Sequence, residues 1–408
     1  MKKQDLEEIQ AKKLRTITKF AYDYVPYYHH LFDSAGTRTE DIKCMKDLQK
    51  IPFTEKEDVQ RSHYQMIANG INPAECQMVT TTGSTGKPLT IFCGEAEEDY
   101  RAALWRFPPQ ECGLFFGESL VSINALKEQS FVKPRFSLPL LMRTGQVSLF
   151  NSVERIVEIL REMKPEAIRT YPSLLRILAK HVMEKEVSRI QPKLIFSIGE
   201  MLSQERRQLV QKAFGTSINE VYSCAEFGTM AFECNEHSGL HMITEPCILE
   251  FLREGEPVGP GEEGEIVITG LYNHVMPLIR YKIGDIGIPT AERCSCGRGF
   301  PLLRKIVGRN DGFLVLPSDT IVSARNINPM EGIHGILQYQ TIQERKDRFL
   351  VKVIKGEDFG ENTVVQIRKV IRAGCLGQDV NIDIEIVDEI PRERTGKIRT
   401  VISRVALP

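Results

Sequence analysis

The stretch from 151 to 222 constrains this chain more than any other, because helix-period and strand-period patterns alternate through it. Asn151, with Glu154 three residues on, can cap a helix whose apolar stripe is Val153, Ile156, Val157 and Leu160. Pro165 ends that helix, and Ala167-Ile168-Arg169-Thr170-Tyr171 reads as a strand closed by Pro172. Ser173 opens a second amphipathic helix carrying Leu174, Leu175, Ile177, Leu178 and Val182. Leu194-Ile195-Phe196-Ser197-Ile198 is the next strand; a helix from Ser203 to about Phe214 and a strand from Ile218 to Tyr222 follow. Such alternation predicts a parallel sheet with helices on its faces.

Ligands of such sheets lie at the carboxyl ends of the strands. Polar residues stand at those ends three times running: Ser173, then Gly199-Glu200, then Ser223 with Glu226. One polar strand end is only a turn. Three in succession predict a cleft.

A chain of 408 residues is too long for one ordinary core. The character changes after 246 to short alternating strands with glycine turns such as Pro257-Val258-Gly259-Pro260-Gly261. A further mixture of strands and one helix begins near Gly308-Arg309-Asn310-Asp311-Gly312. The expected division is a large domain over 1–310 and a small α+β domain over 311–408. With 26% charged residues and a net charge of −1, the chain lacks the basic footprint of a nucleic-acid or acidic-membrane binder. Its apolar runs are short of a membrane span, and the start MKKQDLEEIQAKK has no signal-peptide core. Ten cysteines then read as reduced thiols in a cytoplasmic protein.

Residues 80–88 read TTTGSTGKP, rich in hydroxyls, glycine and backbone N–H groups suited to phosphate. The P-loop template needs Gly at 81 and Ser or Thr at 88; Thr81 and Pro88 exclude it. Pro88 also steers Lys87 away from helical geometry, so the loop feeds a strand. Glu226 in Tyr222-Ser223-Cys224-Ala225-Glu226-Phe227-Gly228 could hold Mg²⁺ beside phosphates. Asp285 in Arg280-Tyr281-Lys282-Ile283-Gly284-Asp285-Ile286-Gly287 could accept ribose hydroxyls. Lys397, in a loop near the end, could neutralise charge on a transferring phosphoryl group. Each of these, taken alone, also reads as a solvated turn residue. Metal-ligating candidates are Cys234, His237, His241, Cys247, Cys294 and Cys296, of which Cys234, His241, Cys294 and Cys296 would make a Cys₃His zinc site. The C-x-C spacing is tighter than usual, and ordinary free thiols are the competing reading.

The order of these pieces resembles the adenylate-forming (acyl-CoA synthetase) superfamily, and within it the phenylacetate-CoA ligase-like proteins and their capsule-biosynthesis relatives. The resemblance runs through Pro26-Tyr27-Tyr28, Ile51-Pro52-Phe53-Thr54-Glu55-Lys56-Glu57-Asp58, TTTGSTGKP, Ser197-Ile198-Gly199-Glu200, YSCAEFG, RYKIGDIG, CSCGR, IVGRND and PRERTGKIR. It implies an α/β fold: a large N-terminal adenylate-forming domain with parallel sheet layers and a β-rich subdomain, plus a small mobile C-terminal lid. It implies an enzyme that joins AMP to a carboxylate and passes the acyl group to a thiol, usually coenzyme A. Thr81, Thr82, Gly83, Ser84, Thr85, Gly86 and Lys87 would hold the β,γ-phosphates. Gly199, Glu200, Tyr222 and Ser223 would border adenine, Asp285 and Arg309 the ribose, and Glu226 would bind Mg²⁺. Thr85, Glu226 and Lys397 would be catalytic, with Lys397 bridging carboxylate and α-phosphate and Asp311 at the hinge. Relatives with CxCGR look zinc-stabilised, and a homodimer is the family expectation.

The family's glycine-bearing hairpin after the ribose arginine is here Val315-Leu316-Pro317-Ser318-Asp319-Thr320, without glycine. A side chain there would narrow a pantetheine tunnel, so adenylation is the firmer expectation than transfer to coenzyme A. The competing functions are transfer to an amine or carrier-protein thiol, and a catalytically retired nucleotide-binding relative. Trp105, Phe107, Phe131 and Phe136 are candidates for an acyl pocket or for core.

Overall fold

A computed structural model of the chain describes residues 3–80, 89–124, 131–136, 143–187, 190–309, 313–323, 327, 330, 333–391 and 399–405. The alternating stretch folds as its periodicity dictates. Val153–Met163 buries Ile156, Val157, Ile159 and Leu160. Its cap is Ser152, whose Oγ accepts the Arg155 N–H at 3.2 Å, and not Asn151, whose amide turns back to the Ser148 carbonyl. Ser203 caps Gln204–Phe214 in the same way, and Gly215 ends that helix with φ of 71°.

Between these helices the strands Ile218–Cys224, Leu194–Ile198, Ala167–Thr170, Ser119–Asn124 and Arg143–Ser148 lie side by side and parallel. The sheet continues antiparallel beyond Ile218–Cys224 through Gly228–Glu233, Leu240–Met242, Leu302–Arg309, Tyr281–Thr290, Gly264–Gly270 and Cys247–Arg253. The parallel half and the β-rich half are thus one mixed sheet, of thirteen strands among the described residues. The helix Glu95–Glu111 covers one face, over Leu120, Ala167, Leu194, Phe196 and Val221. Val153–Met163, Pro172–Glu184 and Gln204–Phe214 cover the other, over Val121, Ile168 and Ile195.

The amino-terminal segment braces the β-rich half. Arg280, buried, forks onto Glu250 at 3.0 and 3.2 Å, donates to the Ile51 carbonyl at 2.7 Å and lies 4.3 Å over the Phe53 ring. Lys282 pairs with Glu55 at 3.0 Å. Two charges of the RYKIGDIG stretch are therefore spent on holding the strand that carries Asp285.

Residues 336–403 build a second, four-stranded sheet in the order Asn381–Ile386, Arg348–Lys355, Ile336–Arg345, Val401–Ser403, with the helix Glu361–Gly374 packed on it. Arg176, on Pro172–Glu184, reaches across to this unit and donates to the main-chain carbonyls of Ile336, at 2.7 Å, and Leu337. The pairing of Ile336–Arg345 with its neighbour is irregular between Ile336 and Gln338, so the first carbonyls of that strand face outward from the ladder.

Candidate active site

The loop 81–88 joins two strands, Gln77–Thr80 and Thr90–Cys93, that pair antiparallel. The chain does enter a strand after Pro88, as the proline requires. Thr81, Thr82, Gly83, Ser84, Thr85, Gly86 and Lys87 themselves lie outside the described residues, as do Asp311 and Lys397.

The convergence that can be followed is at the end of Ile218–Cys224. The Tyr222 hydroxyl donates to Asp285 Oδ2 at 2.8 Å, across 63 residues of sequence. Asp285 follows Gly284, which holds φ of 78° and frees the backbone to turn the carboxylate inward. On its other side Asp285 stands opposite Arg309 in the antiparallel ladder, which brings the backbones of both ribose candidates together. The Arg309 side chain is outside the described part of the molecule.

Glu226 lies one short turn past Tyr222. Its loop is fixed from outside: Arg101 Nη2 donates to the Ala225 carbonyl at 2.9 Å, and the Tyr272 hydroxyl to the Phe227 carbonyl at 3.2 Å. Burial, then the charge of Glu226, with a smaller push from Asp285, hold the Cys224 thiol well above its ordinary pKa. The two acids therefore flank Cys224. Glu226 has no ion-pair partner among the described residues, so its carboxylate is available to a cation, and Mg²⁺ takes one or two such oxygens.

Glu200 is engaged differently. Its carboxylate accepts from the Ser173 N–H and the Ser173 hydroxyl, both at 2.9 Å, and lies 3.8 Å from Arg206 Nη1. The first two strand-end sites read from the sequence thus bind each other, with Glu200 at the amino terminus of Pro172–Glu184 where the helix dipole favours an anion. Gly199 supports that turn with φ of 70°.

The model of the CapK C-terminal domain matches residues 314–404. The chain is 27% identical to the phenylacetate-coenzyme A ligase of Thermus thermophilus over 98% of its length and 97% of that protein. It is 22% identical to Protein CapK of Staphylococcus aureus, over 98% of this chain and 90% of that one. Along nearly its whole length the chain is thus similar to adenylate-forming ligases. Among solved structures, 2-hydroxyisobutyryl-CoA ligase in the postadenylation state, in complex with 2-HIB-AMP, superposes with a TM-score of 0.81 at 20% identity, over 99% of this chain and 90% of that one. The mixed α/β architecture of this chain is that of these solved structures.

The chain carries a second cluster outside the cleft. Cys234, His241, Cys294 and Cys296 bring their ligand atoms within 4.8 Å of one another. Cys234 Sγ lies 3.6 Å from Cys294 Sγ, and His241 Nε2 is 3.3 Å from Cys234 Sγ and 3.5 Å from Cys296 Sγ. Tetrahedral Zn²⁺, with bonds of about 2.3 Å to sulfur and about 2.0 Å to nitrogen, sets neighbouring ligand atoms roughly 3.5–3.8 Å apart. The donor set and its spacing fit that ion. His237 points to Glu233 instead, and Cys247 is buried elsewhere. Arg298 braces the cluster by donating to Glu111 Oε2 at 2.7 Å and to the Glu111 carbonyl, at the end of Glu95–Glu111.

Two working residues went unnoticed in the sequence. Arg101, which shapes the Glu226 loop, is one arginine in a charged helix and carries no motif. Arg169 fills a buried position in the strand Ala167–Thr170. Of the acyl-pocket candidates, Trp105 packs against Arg169, whereas Phe107 packs edge-on to Phe232 and Phe300 and belongs to the core. The side chains of Phe131 and Phe136 lie outside the described part.

Proposed function

We propose that this ligase activates a carboxylic acid with ATP. One carboxylate oxygen attacks the α-phosphorus, the bond to the bridging oxygen breaks, and pyrophosphate leaves with that electron pair. The acyl-adenylate then meets a thiolate, of coenzyme A in the leading reading, which attacks the acyl carbon and expels AMP. The observation that carries the reading is the hydrogen bond from Tyr222 to Asp285, which closes the strand-end cleft around a carboxylate placed to accept ribose hydroxyls. Glu226, without an ion-pair partner among the described residues and on a loop held by Arg101 and Tyr272, would hold Mg²⁺. When bound, that ion neutralises phosphate charge and orients the leaving group. The loop 81–88 would cradle the departing phosphates with Thr85 among its donors. Arg309 would share the ribose with Asp285.

Residues 311–408 would act as the lid, with Asp311 at its hinge. A carboxylate and a triphosphate repel each other, so a cation must arrive for the first step. Lys397 on the lid would supply it and withdraw for the second. The cluster at Cys234, His241, Cys294 and Cys296 would hold structural zinc.

Transfer to an amine or a carrier protein is a second reading, favoured by one feature. In the hairpin Phe313–Val315 to Ile321–Ser323, which the resemblance expects to carry a glycine, Asp319 takes the left-handed conformation with φ of 63° and presents a side chain. Carboxylate-dependent exchange of pyrophosphate into ATP tests the first half-reaction. Lys397→Ala is expected to lower it by at least about a hundredfold, the scale of losing one stabilising charge. Exchange at the wild-type rate would remove Lys397 from the reaction. Thioester formation against hydroxamate trapping then separates the two acceptors.

A further inference from the structure

Arg169 is 2% exposed, yet no carboxylate pairs with it among the described residues. Its place has a local cause. The helix Glu95–Glu111 contains Pro108 and Pro109, and Pro109 has no N–H to offer the Trp105 carbonyl four residues earlier. Arg169 Nη1 takes that orphaned carbonyl at 2.9 Å, and the guanidinium stacks 4.8 Å over the Trp105 ring. One of five donors is thereby used. Nε is buried with no partner. Burial alone pushes the guanidinium down to about 9.

The neighbouring strand repeats the pattern. Ser122 stands level with Arg169 in the parallel ladder and so shares its face of the sheet, and Asn124 follows two residues on. Ser122 Oγ and Asn124 Oδ1 are also buried and without a hydrogen-bond partner. Buried polar groups are almost always satisfied, and an unpaired buried charge costs several kcal/mol. Arg169 Nε and Ser122 Oγ are thus two unmatched donors on adjacent strands, facing the same helix, and what they lack is an acceptor.

These donors lie near the cleft. Trp105 is one helical turn, about 5.4 Å, from Arg101, which holds the loop of Glu226. The strand of Arg169 runs directly into Ser173 at the strand ends.

We propose that Arg169, with Ser122, is the distal wall of the acyl pocket and receives a second anionic group, so that the acid activated here is a dicarboxylate or a close equivalent. This rests on the adenylation reading above. Arg169 is a specificity residue and takes no part in phosphoryl transfer.

The test is a set of straight-chain acids of increasing length, each dicarboxylate paired with the monocarboxylate of equal carbon number, in pyrophosphate exchange. Wild type is expected to prefer the dicarboxylate at one length by at least about tenfold in kcat/KM, as a site built around a polar group does. Arg169→Met erases the preference by raising KM for the dicarboxylate, and Arg169→Lys recovers part of it. A wild-type preference for the monocarboxylate at every length, or a preference that survives Arg169→Met, overturns the proposal. If no acid drives exchange, adenylation has failed as a reading, and ligand-induced thermal stabilisation judges the Arg169 site alone. Stabilisation of wild type by a dicarboxylate, absent in Arg169→Met, then supports it; equal shifts from both members of a pair point to water-filled packing and overturn it.

Discussion

Replacing Glu220 by glutamine is expected to stabilise the protein in mildly alkaline solution and to change little in acid. Glu220 falls directly opposite Glu233 when the ladder of Ile218–Cys224 and Gly228–Glu233 is extended by one residue, so two carboxylates meet across the strands. Glu233 already takes the local partners: it accepts from Arg207 Nη2 at 2.9 Å and the Glu220 N–H at 3.1 Å, and His237 Nδ1 lies 3.4 Å away. Glu220 is left with burial and a like charge, which, in that order and only partly offset by Arg207, push its carboxyl from 4.5 up to about 7.

The proton is held more tightly in the folded chain than in the unfolded one. This contribution is therefore fully present below the unfolded pKa, near 4.5, and is lost as pH rises through about 7. At about 1.4 kcal/mol per pH unit, wild type loses roughly 2.5 kcal/mol relative to the glutamine variant between about pH 5 and pH 8. Spread over a chain of this length, that is a difference of about 3 °C in Tm. Thermal melts of both proteins at both pH values read it directly, because all other titrations cancel in the comparison. Parallel pH profiles would show that Glu220 is ionised in the folded protein and refute the reasoning.

Two further outcomes are expected. Tyr222→Phe removes a hydrogen bond to an ionised group, worth about 1.5 kcal/mol, so KM for ATP rises about tenfold with little change in fold; an unchanged KM separates Asp285 from the nucleotide. Metal analysis of the purified chain is expected to find about one zinc, and chelation or Cys294→Ser to lower Tm by several degrees; a metal-free protein of undiminished stability returns these cysteines to plain packing.

The sequence made the parallel half of the sheet readable because its helices are strongly amphipathic and proline or glycine marks each end. The cap at 151–152 slipped by one residue because Asn and Ser are both good capping residues, and only the path from Ser148 chooses between them. The Cys₃His set was readable from ligand type despite its spacing, since a turn carrying Cys294 and Cys296 can fold against the hairpin of Cys234 and His241. Glu200 was placed in the cleft by position, but its Ser173 partner is a tertiary fact. Arg169 was hidden for a simple physical reason: a lone arginine in a short apolar strand looks like an edge residue, and only the assembled sheet shows it enclosed.

Arg176 grips main-chain oxygens, not side chains, at Ile336 and Leu337. Every residue offers the same main-chain carbonyl, so this contact is blind to the identity of the residues it touches. The surface of the carboxy-terminal unit can drift through evolution while the grip persists, and correlated substitutions between the two partners would leave no trace of it.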